Sequence, residues 1–162
     1  MAPMTPVPAS ASHVEMTQLV MPTHANVHGT AFGGTVMAWT DLAAGMAAMR
    51  HGRLPVVTAS IDQLAFRSPV RIGQIAVIRA QVNAVFATSM EVGVEVLTEE
   101  PLTGERHLCC EAFLTFVALG PDGRPVPVPP LQAESEGERR REREAATRRA
   151  SRLQLREALK RR

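Results

Sequence analysis

Hydrophobic and polar positions alternate most regularly over residues 73–86. The even positions there are Gln74, Ala76, Ile78, Ala80, Val82, Ala84 and Phe86, with Arg79, Gln81 and Asn83 between them. A period of two over that length predicts a long, half-buried antiparallel strand. Val92, Val94 and Val96 alternate with Glu91, Gly93 and Glu95 in the same way. The run TEEPLTGER between Leu97 and His107 supplies turn residues for a hairpin. Residues 108–119 are apolar on both faces, as a central strand requires, and an earlier strand is predicted over 56–66. Ahead of these lie a short first strand and one helix, from about Gly33 to Met49. A helix apolar all round must be covered on most sides. One curved antiparallel sheet wrapped around it is the economical α+β solution, and the Gly and Ala residues at 43–48 allow a close approach.

Composition narrows the picture. A chain of 162 residues suits one domain with a real core. Aromatic residues make up only 4%, too few for nucleic-acid recognition by base stacking. Cys109 and Cys110 are adjacent in an apolar run, which excludes a disulfide framework and favours a reducing, cytoplasmic compartment. The start MAPMTPVPASAS lacks the pattern of a secretory signal. The apolar stretch 31–49 approaches membrane-spanning length, but it carries Asp41 and several glycines, so a buried helix is expected and no membrane partner. The net charge of +2 conceals an asymmetry: residues 1–131 hold seven basic and ten acidic side chains, residues 132–162 eleven and six. Three zones follow: a disordered leader at 1–14, a folded domain at 15–131, and a charged tail at 132–162. The tail's Glu, Arg and Ala predict a solvated C-terminal helix. The Pro-rich segment 120–130 must leave regular structure.

Between Glu15 and Arg50 the only Asp, Glu, Lys or Arg is Asp41. A solitary carboxylate on an apolar helix is costly unless it finds donors, and one so placed is a candidate general base. Gly33 and Gly34 precede the helix and can present free backbone N–H groups at its positive end, a suitable cradle for an oxyanion. Asp41 follows Gly34 by seven residues, about 10 Å along a helix axis. One helix therefore cannot bring both to one carbonyl, and a site shared between two subunits is expected. Asn26, in the preceding loop, can orient a water or polarise a carbonyl. His24 and His28 have a helical metal spacing, yet Pro22 and Gly29 argue against a helix there, so no metal is expected.

The segment Asn26-x-x-Gly29-x-x-Phe32-Gly33-Gly34, with Asp41 on the next helix, resembles the hot-dog-fold acyl-CoA thioesterases. It is closest to the branch of brain-type cytosolic acyl-CoA hydrolases and their short bacterial relatives. DQLAFRSPVRIG at 62–73 is similar to that family's F-x-x-P-x-x-x-G element, and Thr88 to Val94 to its T-S-M-x-V-x-V strand start. The resemblance covers roughly residues 15–131 and implies hydrolysis of an acyl-CoA thioester to a free acid and CoA. Asp41 of one subunit would act as general base or nucleophile, and Asn26 of the partner would place the attacking water. Gly34, with Gly33, would hold the thioester oxygen. Pairing of two such units into a continuous sheet, and of three pairs into a homohexamer, is also implied.

Coenzyme A is then part of substrate and product, with no separate cofactor. Arg67, Arg71, Arg79, Thr88, Ser89 and Arg124 are candidates for its phosphates. Trp39, Met37, Leu42, Phe66 and Phe86 are candidates to line the acyl tunnel. The Arg/Glu-rich tail departs from the family pattern. Two other readings use the same fold: a non-catalytic acyl-CoA sensor or scaffold, and a hydratase relying on His24 or His28 with a carboxylate.

Overall fold

The computed structural model describes residues 3–160. In chain order the elements are β1 (Val7–Pro8), β2 (Val14–Leu19), α1 (Gly33–Gly52), β3 (Val56–Phe66), β4 (Ile75–Phe86), β5 (Ser89–Glu99), β6 (Arg106–Ala118), β7 (Leu131–Gln132) and α2 (Glu136–Lys160). The long strands and α1 fall where the periodicity places them. Five strands form one antiparallel sheet in the order β2-β4-β5-β6-β3.

The sheet wraps α1, as expected for the hot-dog α+β architecture. Ala43, Ala44, Ala47 and Ala48 of α1 are fully buried against Ile78, Val92, Leu114 and their neighbours. Small side chains on the helix let branched side chains of the sheet fill the space between them at interior density. None of the helices among the described residues is long and apolar enough to cross a membrane.

Two expectations need correction. The stretch 1–14, read as a disordered leader, is structured from Val7 onward. β1 pairs in parallel with β7, and Ala9, Ser12 and Val14 are buried. The Ser12 hydroxyl accepts the Val82 N–H at 2.9 Å and donates to Ala9 O at 2.7 Å, so this polar segment is satisfied inside the fold. The tail is helical but not freely solvated. α2 lies across the face of the sheet opposite α1, where Ala145 is buried. Arg148 forms an ion pair with buried Glu91 at 2.7 Å and stacks 3.7 Å from the centre of the Phe113 ring. Arg152 pairs with Asp62 of β3. Asn83 completes the network by donating to Glu91 at 3.1 Å. A Cβ at position 93 would sit 2.6 Å from that amide, so a larger residue there would have to displace Asn83 from Glu91. Asn83 and Glu91, which alternation marks as solvent-facing, are in fact buried under the helix, whereas Glu95 stays exposed.

Candidate active site

The loop 20–32 is built to deliver the start of α1. Asn26 organises it: its backbone N–H bonds to Thr30 O at 2.8 Å, and its side-chain Oδ1 accepts the N–H groups of His28 and Thr30 at 2.9 and 3.3 Å. Its Nδ2 donates one hydrogen to the Thr30 hydroxyl at 3.0 Å, and the second amide hydrogen has no acceptor among the described residues. Gly29 takes φ +75°, the left-handed region that glycine enters without penalty. Phe32 N–H to His24 O at 2.8 Å closes the loop, and the chain passes directly into α1.

No side chain caps this helix. The N–H groups of Thr35 and Val36 both use the Phe32 carbonyl, whereas those of Gly33 and Gly34 donate to no acceptor among the described residues. Two free donors at the positive end of a twenty-residue helix make a site for developing negative charge on oxygen. Gly34 is glycine for a local reason: a Cβ there would lie 2.5 Å from the Phe32 ring.

Asp41 stands two turns further along α1, half-buried. Its Oδ1 accepts a hydrogen bond from the Thr58 hydroxyl at 2.7 Å, and Oδ2 has no partner among the described residues. No cation among them pairs with it. Thr58 escaped the sequence reading. The signal for it was topological: the chain reverses at 53–55, so the start of β3 returns beside the second half of α1. β3 is an edge strand, and no strand among the described residues pairs along its outer side. Around it Val57, Ile61 and Phe66, with Phe32, Met37, Leu42 and Met49, are exposed apolar side chains.

The structure divides the other candidates. Arg67 and Arg71 lie at the end of the sheet near Gly33; Arg67 is paired with Glu111, and Arg71 is exposed. Thr88 and Ser89 sit at the opposite end, beside Val117 and Ala118, as does the exposed turn carrying Arg124. Arg79 belongs with neither group. It faces the α2 side and is held by Glu15 at 2.8 Å. Phe86 likewise lies under Arg149, 4.7 Å from its guanidinium. His24 accepts the Met21 N–H at 3.0 Å and packs edge-on to Trp39 at 5.2 Å. Cys109 and Cys110 are free, and both thiols are fully buried. Burial pushes the Cys109 thiol up to about 11.

Comparison with known proteins agrees with this geometry. The family model described as Thioesterase superfamily matches residues 28–105. Bacillus subtilis YkhA, named an uncharacterized acyl-CoA thioester hydrolase, is 43% identical over 124 residues, 76% of this chain and 72% of the relative. Mouse acetyl-coenzyme A thioesterase is 39% identical over 141 residues, 87% of this chain; the chain spans only 25% of that relative's length. Among solved structures, an apo hexameric acyl-CoA thioesterase superposes with TM-score 0.91 at 39% identity, covering 94% of this chain and 97% of that one. That coverage takes in most of the tail, so a segment in that place is shared with this neighbour. The Staphylococcus aureus acyl-CoA hydrolase, solved with butyryl coenzyme A and coenzyme A, gives TM-score 0.89 at 34% identity over 96% of this chain and 94% of that one. It has also been solved with alanine replacing an asparagine, an aspartate and a threonine spaced 15 and 17 residues apart, the intervals that separate Asn26, Asp41 and Thr58. The chain belongs to the thioesterase superfamily, among the hot-dog-fold acyl-CoA thioesterases.

Proposed function

We propose that this protein hydrolyses acyl-CoA thioesters to a free acid and CoA, at sites each built by two subunits. One observation carries the reading: a carboxylate with a free oxygen and no cation, on the same apolar helix as two unpartnered N–H groups about 10 Å away. Each protomer thus holds two half-sites that face different directions along α1. The exposed edge of β3 supports antiparallel pairing with a second copy. An unpaired, largely apolar edge strand is normally covered or blunted by charge. A two-fold across that edge runs the two α1 helices in opposite directions and turns the N-terminus of one toward Asp41 of the other. Three such pairs make a hexamer, the assembly of the apo thioesterase neighbour.

In this site the thioester oxygen lies on the N–H groups of Gly34 and Gly33. Asn26 on the same side donates its free amide hydrogen to the attacking water. Asp41 of the partner removes a water proton through Oδ2, while Thr58 holds Oδ1 and so fixes the carboxylate plane. The water oxygen bonds to the carbonyl carbon, negative charge collects on the oxygen held by the helix N-terminus, and the C–S bond breaks. CoA leaves as thiolate and takes up a proton. The buried thiols are not nucleophiles in this scheme, because the thiolate is the reactive form and burial suppresses it. His24 and His28 pair with no carboxylate among the described residues, which disfavours a hydratase. Arg67 and Arg71 remain the candidates for CoA phosphate at the Gly33 end, and Thr88, Ser89 and Arg124 at the Asp41 end.

Complementation between two inactive variants tests the shared site. Asp41→Asn and Asn26→Ala chains are each expected to lose CoA release from acyl-CoA. Co-expressed, they recover about a quarter of wild-type activity, since half of randomly assorted dimers hold one intact site of two. No recovery, with mixed oligomers demonstrated by mass, refutes the two-subunit site.

A further inference from the structure

Of the two histidines in the loop 20–32, His28 is exposed, whereas His24 is half-buried and engaged through its ring, its N–H and its carbonyl. It ends a single 3₁₀ turn, Pro22–His24, that carries the chain from buried Val20 into the loop. Its backbone N–H donates to Met21 O at 2.9 Å, and its ring Nδ1 accepts the Met21 N–H at 3.0 Å. Its carbonyl takes the N–H of Phe32, the residue before Gly33. The returning arm of the loop is fixed from outside, by Ala31 N–H to Val70 O at 2.7 Å and Ile72 N–H to Gly29 O at 3.2 Å. After Val20 the outgoing arm, which carries Asn26, hydrogen-bonds only within the loop among the described residues. The His24 ring is therefore the side chain that fixes where this arm begins.

A backbone N–H needs an acceptor, so the ring is neutral, with Nδ1 unprotonated and its proton on Nε2. A proton on Nδ1 would set donor against donor. Imidazole is the side chain that changes charge between about pH 5 and 8. Nothing around His24 repays the charged form. Trp39 of α1 stands edge-on at 5.2 Å and is uncharged, and it cannot supply the acceptor that Met21 N–H would lose. Asp41 on α1, His28 in the loop, and Arg67 and Arg71 in the neighbouring segment make no hydrogen bond or ion pair with His24.

We infer that His24 is a positioning residue of the thioesterase site, that only its neutral ring holds Asn26 and the start of α1 in register, and that its protonation adds an acid limb to the activity. The inference rests on the thioesterase reading above. Its test is kcat for CoA release from pH 8 to 5 on wild type, His24→Asn and His24→Ala, with melting curves to confirm folding. Asn Oδ1 branches from Cγ as Nδ1 does, and it accepts without titrating. His24→Asn is expected to keep about half or more of wild-type kcat at pH 8. The ratio of its kcat to that of wild type is expected to rise about fivefold by pH 5, the worth of one neutral hydrogen bond. Groups common to both chains, Asp41 among them, cancel in that ratio. His24→Ala is expected to lose about fivefold in kcat already at pH 8, with KM little changed. Nitrogen-15 NMR of the ring, assigned by its disappearance in His24→Asn, is expected to show the Nε2–H tautomer at pH 8.

Parallel acid limbs in wild type and His24→Asn overturn the inference while leaving the hydrolase reading intact. So does an Nδ1–H tautomer, or a His24→Asn chain no more active than His24→Ala at pH 8. A wild-type chain that releases no CoA at any pH removes the hydrolase reading and the inference together.

Discussion

The two faces of the sheet are covered by helices of opposite character. α1 is apolar, held by buried alanines, and carries a single carboxylate whose only side-chain partner is a neutral hydroxyl. α2 is crowded with charge and is held by ion pairs and cation–π stacking around Glu91, Phe113 and Asp62. A carboxylate occurs in both settings, but its availability differs. Glu91 is enclosed by Arg148 and Asn83, so its acceptor capacity is used in holding the helix down. Asp41 keeps one oxygen free. Reactivity follows from what a charged group lacks around it, and the proposed chemistry therefore uses the α1 face.

The largest effect is expected on that face. Asp41→Asn removes the proposed base and is expected to lower kcat by about 10²- to 10⁴-fold, measured as CoA release, with an unchanged melting curve. A variant with wild-type turnover would mean that the lone carboxylate does no chemistry. On the other face, Arg148→Ala leaves Glu91 buried and unpaired. A loss of about 2–4 kcal/mol in urea unfolding is expected, toward the low side for a buried pair because Arg148 keeps 21% of its side-chain exposure. Turnover per folded molecule should change little. If activity falls while stability holds, the two faces are not separable.

Thr58→Ala returns to the first face at smaller scale. Losing a hydrogen bond to a charged acceptor is expected to cost about tenfold in kcat, with KM little changed. A change confined to KM would place Thr58 in binding and leave Asp41 unsupported. The smallest effect concerns pH. His51, buried at the end of α1 with its Nε2 donating to Pro129 O at 2.8 Å, is held below its ordinary value of 6.5 by burial. The unfolded chain then binds the proton more readily, so stability is full above pH 6.5 and declines as pH falls below it. Unfolding midpoints between pH 7.5 and 5 check this, with His51→Gln expected to flatten the slope.

How much of this was legible from residues alone varies by region. The period-two runs marked β4 and β5 because both bury one face against α1, and burial on one face is what alternation records. Gly33, Gly34, Asn26 and Asp41 stood out because an otherwise uncharged stretch isolates its one carboxylate. Arg79 stands apart from the other phosphate candidates, on the α2 side, because a strand position carries no mark of which face meets which helix. Glu91 was taken for the polar side of a half-buried strand for the same reason. The leader was read from its Pro, Ala and Ser content, yet a short segment is ordered when it finds a strand such as β7 and a core position for Ser12.

By itself, then, the sequence determined the elements, the sheet-around-helix architecture and which groups are candidates for the site, since these depend on local periodicity and on charge along the chain. Tertiary structure alone decided which groups meet: Thr58 with Asp41, Arg148 with Glu91, His24 with Trp39. Those meetings depend on how distant segments cross in space, and on desolvation and pairing that exist only once the chain has folded.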